Sequence, residues 1–295
     1  MGLRLKFNLA LLIVFAVGFA ASAYVSYNLL QKNARDEVLR NAGLMMEAAL
    51  SMRAYTVGHV RSRLAQKEDE FLPESVPAFA ATEMMNQLRM KYTDYIYKEA
   101  ALNPTNPRDK ADNWEAEIVN EFRGNSALAE HSGVRASASG PSLFLARPFR
   151  IKDAACLACH STPEAAPVSM VKLYGTDKGF GWQLNEVIGA QIVSVPMSLP
   201  IANAHHAFRT FMLSLAAVFV AIFIILNLML YFLIVQPVRR VSAAADRLSA
   251  GRRSSADEAH LELPESGKDE VALLARSFNR MRQSIETLVK AADHQ

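Results

Sequence analysis

Cysteine is scarce in this chain: Cys156 and Cys159 are the two present among 295 residues. No further cysteines are there to complete a structural zinc site of about four protein ligands. A disulfide between these two would close too short a loop to add much stability, so the pair points to chemistry rather than scaffolding. Excess charge is also lacking. Lys and Arg number 32 against 29 Asp and Glu, a formal net charge of +3. That balance gives no case for nucleic acid as a partner. Hydrophobic residues are plentiful, at 51%, with a mean hydropathy of +0.07. The excess lies in two blocks.

The first block runs from Leu9 to Leu30 and the second from Phe211 to Val235, the second without a charged residue. A helix of about 20 apolar residues spans the hydrocarbon core. Ala21-Ser22-Ala23 resembles a signal-peptide cleavage site. Apolar residues continue past it at Tyr24, Val25, Leu29 and Leu30, so an uncleaved anchor is the expectation. Arg4 and Lys6 precede the first block, and Arg239, Arg240, Arg247, Arg252 and Arg253 follow the second. Basic residues favour the cytoplasmic side. The expectation is a two-pass protein of the bacterial inner membrane. It would have a cytoplasmic N-terminus (1–8), a first span (9–30), a periplasmic domain (31–208), a second span (211–235), a cytoplasmic module (236–290) and a tail (291–295).

Between the spans, Lys32 through Leu64 reads as helix, with Met45, Met52 and His59 spaced by seven on one face. Pro73 and Pro77 mark a break, and a second helix is expected from Ala80 to Met90. Asn103-Pro104-Thr105-Asn106-Pro107 is turn chemistry. Trp114 to Phe122 reads as a short amphipathic helix whose Glu115, Glu117 and Glu121 form a solvated face. Later, Ser142–Ile151 and Gln191–Val195 are strand-like, and glycines 175, 179, 181 and 189 punctuate the approach to the second strand. Helices first and strands later predict an α+β domain, and a long helix leaving the membrane ahead of a small sheet fits a PAS-like sensor.

Residues 156–160 read Cys-Leu-Ala-Cys-His. C-x-x-C-H is a c-type haem attachment signature: two thiols at this spacing reach both vinyl groups, and the histidine lies under the iron. One covalent haem c is expected, on Cys156 and Cys159 with His160 as proximal ligand. A redox-active thiol pair and a plain disulfide are the alternatives. For the distal position, His59 and Met52 are candidates, Met84 and Met85 are others, and an open or water-bound iron is the remaining option. Arg53, Arg147 and Arg150 are candidate propionate partners, since guanidinium matches carboxylate geometry.

A wider set of residues resembles a bacterial family of periplasmic haem-binding domains, PAS-like in fold. It comprises Met52-Arg53-Ala54-Tyr55-Thr56, Asn103 to Pro107, Trp114-Glu115, Ala146-Arg147-Pro148, Cys156 to Pro167, Tyr174-Gly175, Gly179 to Trp182, and Gln191 to Pro196. The resemblance implies a single c-type haem held through Cys156, Cys159 and His160, and redox or small-gas sensing. Some family members use a distal cysteine, and this chain has none to spare.

After the second block, Val238 to Ala250 reads as a helix with Val241, Ala245 and Leu248 at heptad spacing. A polar connector, Gly251 to Gly267, leads to a second helix opened by Asp269-Glu270. Its Val271, Leu274, Phe278, Met281, Ile285 and Leu288 repeat at three and four. With Glu265 and Ser277-Phe278-Asn279-Arg280-Met281, this resembles a HAMP domain, which implies a parallel four-helix bundle in a homodimer; a plain dimerising coiled coil is the alternative. No kinase, cyclase or methyl-accepting region follows within the 295 residues, and no nucleophile–base pair stands out. The expectation is therefore a non-enzymatic sensor that a separate cytoplasmic signalling protein reads. A membrane-anchored electron-transfer cytochrome, engaging an electron donor rather than a small gas, is the alternative.

Overall fold

The computed structural model describes residues 2–64, 71–138, 140–249, 263–264 and 266–293. They form two compact units, Ser26–Arg209 and a second made of Met1–Val25 with Thr210–Gln295.

Helix α1 spans Leu3–Tyr55. No proline precedes Pro73, so nothing interrupts its hydrogen-bond ladder. At its end the helix widens into one π turn, Thr56–Val60, before the short α2, Arg61–Leu64. The buried Thr56 hydroxyl donates to the Met52 carbonyl at 2.8 Å, a back-bond that competes with the ladder where the turn loosens. The wider turn corrects one expectation. Residues seven apart share a face only while the α-helical period holds, and it fails between Met52 and His59. Met52 packs on the sheet core, whereas His59 is exposed and lies against Tyr55 at 5.3 Å.

The rest of the Ser26–Arg209 unit is a four-stranded antiparallel sheet in the order β1-β4-β3-β2, faced by helices. The strands are β1 (Ile96–Ala101), β2 (His131–Ser137), β3 (Gly140–Arg150) and β4 (Val187–Pro196). The helices are α3 (Pro77–Lys91), α4 (Asn113–Gly124), α5 (Leu157–His160) and α6 (Val168–Tyr174). Period-two alternation sends Leu143, Leu145, Val193 and Val195 to one face, where Val38, Ala42, Met46 and Ala49 of α1 and Ala81 and Met85 of α3 cover them. It sends Phe144, Ala146, Ala190 and Ile192 to the other, against Ile118, Val119 and Phe122 of α4. A helix on each face leaves the central β4 buried along nearly its whole length.

Three expectations change here. Strands β1 and β2 carry Lys98-Glu99 and Gly133-Arg135 and lack an apolar alternation, so local pattern did not reveal them. Gly189 is inside β4 rather than before it. A Cβ there would stand 2.3 Å from the Ala100 carbonyl oxygen, so only glycine lets β1 close on β4. Glu115 is buried, not solvated: it accepts from the Asp112 amide at 2.8 Å and from Lys98 Nζ at 2.7 Å, fastening the start of α4 to β1.

Helix α7 (Ser198–Met229) starts in the Ser26–Arg209 unit and ends in the other, where it continues through a π turn, Leu230–Val235, into α8 (Gln236–Ser249). Pro237 has no amide proton and its ring crowds the carbonyl four residues back, so the turn before it widens instead of breaking. Two helical stretches, 4–64 and 198–249, are long and apolar enough to cross a membrane, each holding an 18-residue window of high mean hydropathy, 2.2 and 3.0 respectively. Phe15 stacks on Phe219 at 4.8 Å between them. The last helix, α9 (Glu270–Asp293), packs on α8 through Ala275 and Phe278 against Ala244, with Leu263 in the same cluster. The buried Asn279 side chain donates to the Leu263 carbonyl at 2.9 Å and accepts from its amide at 3.1 Å. Of the expected seam, Phe278 is buried within the chain, while Leu274, Met281, Ile285 and Leu288 are exposed. Most of the expected connector, Arg252 and Arg253 (residues 250–262) and Glu265, lies outside the described residues, as do residues 294 and 295.

Candidate cofactor site around Cys156, Cys159 and His160

Strand β3 ends in a bulge between Phe149 and Arg150. A bulge re-aims consecutive side chains, and Phe149, Arg150 and Ile151 all face one cavity. The chain then makes a tight 3₁₀ turn, Ala154–Cys156, whose N-cap Asp153 accepts from the Ala155 amide at 2.9 Å. Helix α5 follows at once, so Cys156, Cys159 and His160 fall on about one helical turn and line the same cavity. The cavity measures about 570 Å³, within the range of about 300–1,000 Å³ typical of cofactor sites. Its walls are the end of α1, the start of α3, β1, the 104–109 loop and α6.

His160 is held by groups distant in sequence. Its Nδ1 lies 2.8 Å from the Gly179 carbonyl oxygen and 3.3 Å from Thr105 Oγ1. A carbonyl can only accept, so Nδ1 carries the proton and Nε2 keeps a free lone pair. Burial lowers the imidazole pKa, against the opposing pull of the Gly179 carbonyl, and so favours the neutral ring. Trp182 stacks on the ring at 3.9 Å and 16°. The Asn103 side chain ties the supporting loop together, accepting from the Gly179 amide and donating to the Phe180 carbonyl, each at 3.1 Å. A neutral imidazole whose second nitrogen is pinned by a carbonyl is how proteins present a histidine to a metal. Both thiols are free and half-buried. Burial raises the pKa of each; Asp153 adds to this at Cys156, and Arg61 opposes it at both.

A buried polar network closes one wall. Glu99 of β1 accepts from Arg53 at 2.5 Å and from the Tyr97 hydroxyl at 2.7 Å. Burial, with Glu99 beside it, pushes the Tyr97 phenol far above its ordinary value. Arg53 also lies over the Phe149 ring at 4.5 Å.

Residues 31–196, more than half of the chain, match the Tll0287-like family model. The chain belongs to the Tll0287-like family. Residues 229–287 match the HAMP domain. One solved structure found similar, titled as the crystal structure of the cyanobacterial heme-protein Tll0287, is 20% identical; the match covers 54% of this chain and 95% of that one, with a TM-score of 0.42. No curated protein matches the chain.

The Tll0287-like domain thus gathers some of the residues singled out by sequence and disperses others. Cys156, Cys159, His160, Arg53 and Arg150 line the cavity. Met52, His59, Met84 and Met85 are not on its wall: Met52, Met84 and Met85 belong to the sheet core and His59 faces outward. Arg147 is also elsewhere, paired with Glu47 at 2.6 Å and Glu130 at 2.9 Å. Met170, buried on α6, is on the wall and was not singled out. Asn103, Thr105, Gly179 and Trp182 stood out as motif residues, but nothing local in sequence linked them to His160.

Proposed function

We propose that the chain is a membrane-bound, non-enzymatic haem-c sensor. One haem is attached through thioethers at Cys156 and Cys159, and His160 Nε2 is the proximal iron ligand. The observation that carries this reading is the pinned, neutral His160 on one turn with two free thiols at the wall of a cofactor-sized cavity. When bound, the haem supplies a redox centre and a coordination position for a small gas. The chain's own residues orient the imidazole, exclude water with Trp182 and Phe149, and link the cavity through Arg53 to the end of α1. Met52 and His59 lie off the cavity wall, which favours a sixth position open to an exogenous ligand. The domain faces the periplasm, both termini are cytoplasmic, and the spans sit in a bacterial inner membrane; Arg4, Lys6, Arg239 and Arg240 support that orientation. A signal that favours one of two domain states is passed to the HAMP module of a homodimer and read by a separate cytoplasmic protein. The exposed Leu274, Met281, Ile285 and Leu288 support that pairing.

The test is the full chain matured with a c-type haem system, by haem stain on a denaturing gel, pyridine haemochrome and carbon monoxide binding. Expected are a stained band at chain size, loss of stable attachment in Cys156→Ala and Cys159→Ala, and a carbon monoxide adduct on reduction. An unstained wild type would leave a thiol–disulfide pair. A stained, six-coordinate haem refractory to carbon monoxide would instead favour electron transfer, with Met170 the methionine placed to supply the ligand.

A further inference from the structure

Resting on the haem reading above, we propose that Arg108 and Tyr174 receive the haem propionates, so that the cavity has a thiol end and a carboxylate end. In the porphyrin, the vinyl groups and the propionates occupy opposite edges. Attachment at Cys156 and Cys159 therefore sends the propionates to the far side of His160.

The cations on the cavity wall divide accordingly. Arg61 stands at the thiol end: its Nη1 is 4.0 Å from Asp153, which caps the turn carrying Cys156, and both thiols feel its charge. Arg53 is committed to Glu99, and its charge also reaches Cys156. Arg150 and Lys152 lie just ahead of that same turn, at the thiol end, and Arg150 donates to the Asn185 carbonyl at 2.8 Å. Arg108 lies the other way. From Thr105, in contact with His160, the chain runs through a 3₁₀ turn, Pro107–Asp109, that seats Arg108 over Phe79 of α3 at 5.2 Å. There it meets the half-exposed Glu83 at 2.6 Å through Nη1 and Asp109 at 3.8 Å through Nε, leaving Nη2 to face a further carboxylate. The Tyr174 phenol is close enough to feel both Arg108 and Asp109. Burial pushes the Asp109 carboxyl up to about 6, so a neighbouring anion shifts it toward protonation, and it becomes a donor rather than a fixed repulsion.

Resonance Raman spectra of the propionate bending band and spectropotentiometric titration of the haem-loaded full chain test this. Arg108→Gln should keep the covalent haem, move the propionate band and lower the midpoint potential, because a cation offsetting the reduced centre is lost. Arg108→Lys should restore the potential in part but not the band. Tyr174→Phe should move the band, and it carries the test if Arg108→Gln does not fold. Arg150→Gln should leave both unchanged. An unmoved band in Arg108→Gln and Tyr174→Phe, or a band moved by Arg150→Gln, overturns this assignment while leaving the haem reading intact. A wild type without covalent haem overturns both.

Discussion

Gly179→Ala should damage the site out of proportion to one methyl group. Gly179 has φ +83°, and a Cβ built there would lie 2.0 Å from Thr105 Oγ1 and 2.7 Å from Thr105 Cα. A side chain in the left-handed region costs about 1–2 kcal/mol. Displacing a packed neighbour costs about 1–3 kcal/mol more. The expected loss is therefore about 2–5 kcal/mol. Gly175 is the internal control: its φ is +82°, but nothing lies within 4 Å of its Cβ position. Gly175→Ala should lose only the dihedral part, about 1–3 kcal/mol for its φ +82°, ψ −173° backbone. The close approach matters for the site because Gly179 presents its carbonyl to His160 and its amide to Asn103. The assay is urea unfolding of the detergent-solubilised full chain followed by tryptophan fluorescence. Both tryptophans, Trp114 and Trp182, belong to the Ser26–Arg209 unit and report on it alone. The haem Soret band, read alongside, should shift in Gly179→Ala and not in Gly175→Ala. Equal losses in the two variants, with unchanged Soret bands, would refute the packing of the Gly179 loop on Thr105 and its hold on His160.

Glu99→Gln should destabilise the same unit by about 1–3 kcal/mol, because it strips a part-buried arginine of its buried counter-charge; a loss below about 0.5 kcal/mol in the same urea assay would count against that network. Asp109 predicts a pH dependence of the haem-free protein. Burial, opposed by Arg108 and Lys98 and reinforced by Glu99, raises its pKa from 3.8 to about 6 in the fold. A folded pKa above the unfolded value means stability that is fully present below about 3.8 and lost as pH climbs through about 6. Asp109→Asn should remove that loss, gaining about 1–2 kcal/mol relative to wild type between pH 4 and 7, the effect tempered by screening at a side chain 19% exposed; parallel stability profiles for the two proteins would contradict it.

Much of this molecule is legible along the chain because the determining forces are local or periodic. Twenty-residue apolar runs become long helices since every backbone group is satisfied within them. The α3 and α4 segments and the central strands follow from their hydrophobic periods, and the α8–α9 pair from its heptads. Cys156, Cys159 and His160 stand out because covalent spacing alone brings them together. Strands β1 and β2 did not stand out, because their place in the sheet is conferred by pairing with β4 and β3, not by their own composition.

The tertiary structure decided what surrounds the motif. Sequence periodicity put Met52 and His59 on one face, and a single π turn beginning at Thr56 separated them. Residue chemistry placed Arg147 among the propionate candidates, and two carboxylates from elsewhere in the fold claimed it. Conversely, the partners of His160 come from positions 105, 179 and 182, joined by a loop that only a glycine lets close. Residue type and spacing determine which atoms can ligate, since that is covalent chemistry. Which way they face, which proton they carry and which charges surround them depend on contacts between distant segments, and those exist only once the sheet has brought the segments together.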